Sequence, residues 1–222
     1  MVIDWGLGIE NLPILLRGAK ITIQFTVVSV FLGSILGLFF ALGRMSRIPI
    51  LKYFCVGYID FFRGTPLLVQ ILLIYVGVPH LFGFTMPDNY QYIAGYIALS
   101  LNCAAYTAEI FRSGIQSIDP GQMEAARSLG MTQYQAMRYI ILPQAFKVVV
   151  PPLGNEFIAM LKDSSLLAFI AIEDLLYSGK IIVGRTFQPM PIYLTVALIY
   201  LFMTMALSLL VNYTERRLGK SD

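Results

Sequence analysis

Apolar residues in this chain fall in long unbroken blocks, with neither the alternation of a half-buried strand nor the narrow stripe of a helix resting on a water-facing core. A hydrocarbon layer of about 30 Å is crossed by about 20 helical residues. Blocks of that length occupy about 19–42, 53–78, 93–111, 148–172 and 192–211, and they predict five transmembrane helices in an all-α chain. No linker-like stretch divides them, so 1–222 reads as a single transmembrane domain. The longest polar interval, about 119–143, separates the third block from the fourth.

That interval is dense in helix signals. Asp119 suits an N-cap, Pro120 the first helical position, and Gln122 stands where a capping box needs it. Gly130 suits a left-handed stop, and Thr132 with Gln135 repeats the cap and box for a second helix expected to end before Pro143. Glu124 and Arg127 are spaced to pair, and Met123, Ala126 and Leu129 share a small apolar face. Alone, this pattern fits a helical linker lying on a membrane surface. Within the blocks, Pro66 must disturb the second helix, and Pro151-Pro152 is expected to break the chain as it enters the fourth. Gly33, Gly37 and Ala41 offer a close-packing face on the first.

Composition agrees with lipid as the solvent. At 57% hydrophobic, 13% charged and a mean hydropathy of +0.71, 222 residues carry more apolar surface than a water-facing globule can hide. Disordered and nucleic-acid-binding classes are excluded. The net charge of +3 says little, but its placement is informative. Arg44, Arg47 and Lys52 follow the first block; Arg112, Arg127, Arg138 and Lys147 follow the third; Arg216, Arg217 and Lys220 follow the fifth. The opposite gaps hold only Arg17, Lys20, Lys180 and Arg185, which puts the N-terminus outside and the C-terminus in the cytoplasm. The first block is too long for a signal core of about 7–15 residues and follows Asp4 and Glu10, so it reads as a retained span. Trp5, Tyr90, Tyr92 and Tyr193 fall where an interfacial aromatic belt is expected. Cys55, Cys103 and the single His80 have no spacing that suggests a disulfide scaffold, a zinc site or thiol catalysis.

Charges inside the membrane are costly and need partners. Glu156, Lys162 and Asp163 lie in the fourth block, with Lys162 about 18 Å in from the cytoplasmic face. Asn102 and Tyr106 of the third block reach a similar depth, as does Ser164. Together they form a polar slab suited to a zwitterion; a permanent interhelical salt-bridge network is the competing reading. Asp60 with Arg63, and Glu109 with Arg112, are spaced as structural pairs near the cytoplasmic interface.

Four strings in order carry a resemblance. Glu124-Ala125-Ala126, Gly130 and Ile140-x-Leu142-Pro143 match the EAA loop of the membrane subunits of ATP-binding-cassette importers. Arg63-Gly-Thr-Pro-Leu-Leu-Val-Gln70, Ala105-Tyr-x-Ala-Glu109-Ile-x-Arg112 and Gly154-Asn-Glu156 with Lys162-Asp163-x-Ser165-Leu extend the match, and the chain resembles the polar-amino-acid permease family. The resemblance implies a five-span type I importer bundle in the bacterial cytoplasmic membrane. It implies that the helix from Asp119 to Gly130 is a coupling helix, with Glu124, Ala125, Ala126 and Gly130 at its contact with a cytoplasmic ATP-binding subunit dimer. It further implies a second permease, an external solute-binding protein, and a substrate such as glutamine, glutamate, arginine or histidine. Since every family string is intact in one chain, a homodimer is favoured over a related heterodimer.

No G-x-x-x-x-G-K-[ST] string occurs, so the chain is not expected to be an enzyme or to hold a cofactor; ATP and magnesium are assigned to the partner ATPase. An ion-coupled secondary carrier using Glu156, Lys162 and Asp163 is the alternative, weakened by the absence of inverted repeats and by the small number of spans.

Overall fold

The computed structural model describes residues 3–83 and 85–219, so Lys220 lies outside the described residues. Every regular element among the described residues is helical. After a single turn, α1 (Leu7–Glu10), the chain runs through α2 (Leu12–Arg44), α3 (Pro49–Gly64), α4 (Leu67–Leu72), α5 (Val78–Phe82) and α6 (Tyr90–Gln116). It continues through α7 (Pro120–Ser128), α8 (Gln133–Ala136), α9 (Leu142–Asp163), α10 (Leu175–Thr186) and α11 (Pro189–Gly219). The helices α2 and α11 are each long and apolar enough to cross a membrane, and α3 with Leu67–Phe82 forms a third such unit bent by 109°. With α6 at 27 residues and α9 at 22, each more than about 30 Å long at about 1.5 Å per residue, the chain is an all-α multi-span bundle.

Proline stops fewer helices here than its positions suggest. Thr132 and Gln135 form the complete capping box, with bonds of 2.8 and 3.2 Å, but the helix they start does not end before Pro143. A wider π turn, Met137–Ile141, carries α8 straight into α9, and its altered hydrogen-bond register makes room for Pro143 just beyond it. The same device, a π turn at Leu73–Gly77, precedes Pro79. Pro151 and Pro152 lie inside α9 without breaking it. Neighbours hold that segment on both sides: Val149 packs over Gly114 of α6, and a Cβ on Gly154 would come within 2.6 Å of Val211 on α11.

The fourth block changes geometry partway along. Its α-helix stops at Asp163, a 3₁₀ stretch covers Ser164–Ile170, and Ala171 takes a left-handed φ of 59°. The interval that follows, which sequence places in an outer loop, contains α10. Asp174 is fully buried and caps it through the Tyr177 N–H at 2.8 Å, while the Leu175 N–H donates to Thr22 Oγ1 of α2 at 3.2 Å. Leu175 and Ile182 then close against Leu15 and Ile192, joining α10 to α2 and α11. Tyr90 is buried rather than interfacial, and its hydroxyl donates to the Ile74 carbonyl at 2.9 Å in the first π turn.

Small residues set the closest helix approach. The glycines of α2 face α6 within the chain: a Cβ on Gly33 would lie 2.6 Å from the Cys103 Cβ, and one on Gly37 would meet Thr107 Oγ1 and stand 2.9 Å from the Ala104 carbonyl. Thr107 Oγ1 donates to the Gly33 carbonyl at 3.1 Å across this seam. Below it, Phe25, Leu99, Met160, Leu167 and Ile172 form the main buried cluster. Gly37→Ala is expected to lower stability by about 1–3 kcal/mol through overpacking. Gly57→Ala is expected to leave it unchanged or slightly higher, since nothing lies within 4 Å of a Cβ there. Thermal unfolding of both variants in the same detergent checks the contrast.

Candidate functional site

The bend between α3 and α4 begins with a missing donor. In a continuous helix the Phe62 carbonyl would accept from the N–H of residue 66, and Pro66 has none. Thr65 turns extended, with φ −121° and ψ 148°, as a residue before proline tends to do. The Gln70 side chain fills the gap. Its Nε2 donates to the Phe62 carbonyl at 2.8 Å, to the Thr65 carbonyl at 3.0 Å and to Thr65 Oγ1 at 2.8 Å. Its Oε1 accepts from Asn102 Nδ2 of α6 at 2.9 Å. Both amides are buried, so the break and the middle of α6 form one polar unit inside the bundle.

A cavity of about 270 Å³ opens at this break. Thr65, Pro66 and Leu67 form one wall, Asn102 and Tyr106 of α6 a second, and Glu156, Ala159 and Asp163 of α9 the third. The last three lie at i, i+3 and i+7 and share a helix face. Four of the six nominated pathway residues, Asn102, Tyr106, Glu156 and Asp163, are therefore brought together. Lys162 and Ser164 are not. Lys162 lies about 100° round α9 from Asp163, exposed and outside the lining. Ser164 is fully buried and donates to the Leu161 carbonyl at 2.8 Å.

Arg63 joins the site by a route the sequence did not suggest. It is not paired with Asp60; its guanidinium carbon lies 5.6 Å from the Tyr106 ring centroid. Glu109 lies farther along α6. Glu109 in turn is held by Arg112, whose Nε donates at 2.9 Å, and by Arg44 of α2, whose Nη1 stands 3.0 Å from Glu109 Oε2. Asn102, Tyr106, Glu109 and Ser113 lie on one face of α6, so a polar line runs from the cavity toward that charged cluster. Two carboxylates on one wall and a guanidinium at the edge suit a small molecule carrying both an ammonium and a carboxylate.

The second candidate feature is α7. Asp119 caps it by accepting from the Gly121 N–H at 2.8 Å, but no box forms with Gln122, whose Oε1 accepts instead from Gln144 at 3.5 Å. Gly130 ends the segment at φ +86°, a conformation that favours glycine. Arg127 donates to the Met131 carbonyl at 2.9 Å rather than pairing with Glu124. Ala126 packs inward, while Glu124, Ala125 and Leu129 are exposed, Leu129 at 85%. A rigid, capped helix thus presents a carboxylate and a bare leucine outward.

Gln70, Thr65, Leu67, Ala159 and Arg44 are the contributors that sequence reasoning missed. The available signal was Pro66 itself: it orphans the Phe62 carbonyl, which then needs another donor, and Gln70 is the amide one turn on.

Comparison with known proteins adds an independent line. The profile of the "Binding-protein-dependent transport system inner membrane component" family matches residues 33–220. The "Probable amino-acid ABC transporter permease protein YckA" of Bacillus subtilis (strain 168) is 41% identical over 95% of this chain and 92% of its own length. The "Probable glutamine ABC transporter permease protein GlnM" of the same organism is 41% identical over 96% of each chain. A solved structure described as "Crystal structure of an amino acid ABC transporter with histidines" has a TM-score of 0.92 and 46% identity, covering 98% of this chain and all of the matched one.

Gln70→Leu keeps the bulk and removes the donor, leaving the Thr65 carbonyl without it and the Phe62 carbonyl with only the Asn102 amide at 3.5 Å. It is expected to cost about 1–3 kcal/mol. A lowered thermal midpoint together with loss of the Asn102 side-chain constraint, read by amide spectroscopy of the labelled protein, checks it.

Proposed function

Since the chain belongs to the binding-protein-dependent transport system inner membrane component family, we propose that it is the permease subunit of an ATP-driven importer of a polar amino acid. The substrate class is glutamine, glutamate, arginine or histidine. The observation that carries this reading is the cavity at the broken helix, where Glu156 and Asp163 face Tyr106 and Asn102 with Arg63 at the edge. The carboxylates suit the substrate ammonium, and Arg63 and the Asn102 amide suit its carboxylate or a polar side chain. Names of the relatives, a glutamine permease among them, agree with that class.

The bundle is read as five spans, formed by α2, α3 with α4 and α5, α6, α9 with the 3₁₀ stretch, and α11, with the N-terminus outside. The basic residues near the ends of α2, α6 and α11 support that orientation. The α7 helix is then cytoplasmic and serves as the coupling helix. Glu124, Ala125, Ala126 and Gly130 belong to its contact with a cytoplasmic ATP-binding subunit dimer, in which Glu124 makes the polar contact and Gly130 fixes the bend. ATP and magnesium reside in that partner. A rigid helix passes on a displacement of the partner as a rigid-body motion, which opens the cavity alternately to each side. A second copy of the chain completes the pathway, and an external solute-binding protein delivers the amino acid.

Two outcomes test this reading. Glu156→Gln and Asp163→Asn are each expected to weaken amino-acid binding by the assembled transporter about tenfold or more, the value of a lost charge-assisted bond. Equilibrium binding of labelled glutamine and histidine measures it. Glu124→Lys is expected to leave ATP hydrolysis by the complex while uptake into vesicles falls, within the range of about 5–150-fold typical of site coupling. Normal uptake in that variant contradicts the docking role.

A further inference from the structure

The turn from α2 to α3 joins two kinds of surface. On one side is a cavity of about 440 Å³ whose polar lining includes Arg44, Ser46, Lys52, Arg112 and Gln116. Three of these are cations, and the carboxylate beside them is Glu109. Arg112 spends its donors on Glu109 and Gln116, and Arg44 gives one amino group to Glu109. The Lys52 side chain makes neither an ion pair nor a hydrogen bond among the described residues, and neither does that of Arg47 on the adjoining turn. The corner therefore carries surplus positive charge with free donors.

On the other side the same turn is apolar and bare. Ile48 is 60% exposed, Ile50 85%, Tyr53 71% and Phe54 67%, all within two turns of Lys52. Such side chains are unfavourable in water and fit the acyl region of a bilayer, while the cations beside them require an anion at headgroup level. We propose that this corner binds an anionic phospholipid of the cytoplasmic leaflet. The lipid phosphate sits in the cavity against Lys52 and Arg44, and its chains lie over Ile50, Tyr53 and Phe54. Basic pockets between membrane helices on the cytoplasmic side are suited to anionic headgroups. A free inorganic phosphate shares the phosphate chemistry but has nothing to cover the apolar side. The leaflet follows from the orientation with the N-terminus outside; the pocket itself depends only on the α2–α3–α6 geometry. Occupied, it offsets the surplus charge at the end of the polar line that leads from Tyr106 through Glu109.

Native mass spectrometry of the purified permease assembly, loaded from mixed micelles of phosphatidylglycerol and phosphatidylcholine, tests the site. Phosphatidylglycerol is expected to be retained preferentially. Lys52→Gln and Arg47→Gln should each lower its retention about fivefold, equivalent to about 1 kcal/mol for each charge removed. Lys180→Gln on α10, away from this corner, should leave retention unchanged, and added inorganic phosphate should not displace the lipid. Equal retention of the two lipids, no loss in Lys52→Gln, or displacement by inorganic phosphate would overturn the proposal; the last result would indicate a free-anion site instead.

Discussion

A carbonyl left without its donor inside a membrane is the constraint on which the rest of this structure depends. Pro66 removes the N–H that Phe62 would have used, and in hydrocarbon no water replaces it. Gln70 supplies the donor from one turn onward, at 2.8 Å, and the same amide reaches both the backbone and the hydroxyl of Thr65. Because its oxygen also takes the Asn102 amide, the break is locked to α6 as well as to itself. The 109° bend thereby becomes a fixed wall. A rigid break opens space between three helices, and that space is lined by Thr65, Asn102, Tyr106, Glu156 and Asp163.

The remaining backbone irregularities follow the same logic. Both π turns come just before a proline and relieve the clash a tight turn would have with its ring. The glycines of α2 bring it so close to α6 that Thr107 reaches the opposite backbone. With α2 fixed on α6, Arg44 is carried to Glu109, so helix packing adds a third charge to the i,i+3 pair of Glu109 and Arg112 at the end of the bundle. The capped α7 projects from this frame through a continuous helix, α8 into α9, that also bears Glu156 and Asp163. One connected element thus bears a wall of the cavity, and its base packs against α7, which gives a mechanical basis for linking events at the two places.

Much of this was legible in the sequence. Apolar block length located the long helices, although the first reaches from Leu12 to Arg44 where the apolar block suggested only about 19–42. Pro66 marked the break, the caps at Asp119 and Thr132 marked α7 and α8, and polar residues inside apolar blocks marked Asn102, Tyr106, Glu156 and Asp163. The differences have physical causes. Depth placed Lys162 in one slab with Asp163, although adjacent residues on a helix point apart, and Lys162 lies outside the cavity lining. Spacing suggested Asp60 for Arg63, but the Tyr106 ring on another helix offers a cation a better surface at 5.6 Å. Proline rules written for helices in water overstated the breaks at Pro143 and Pro151-Pro152, where π geometry and neighbouring helices compensate. The α10 helix escaped because it is short and mixed in composition, and it owes its order to the buried cap of Asp174 and contacts with two distant helices.

The central claim is that an amino acid occupies the cavity at the broken helix. Ala159 lines it without touching the polar network, and Cys55 and Cys103 are buried, so Ala159→Cys gives a clean reporter. In the assembled transporter, this cysteine is predicted to react with a charged methanethiosulfonate and to be protected by glutamine, glutamate, arginine or histidine, while Lys180→Cys, exposed on α10, shows no such protection. A reaction rate at Ala159→Cys that none of these amino acids slows would contradict the account.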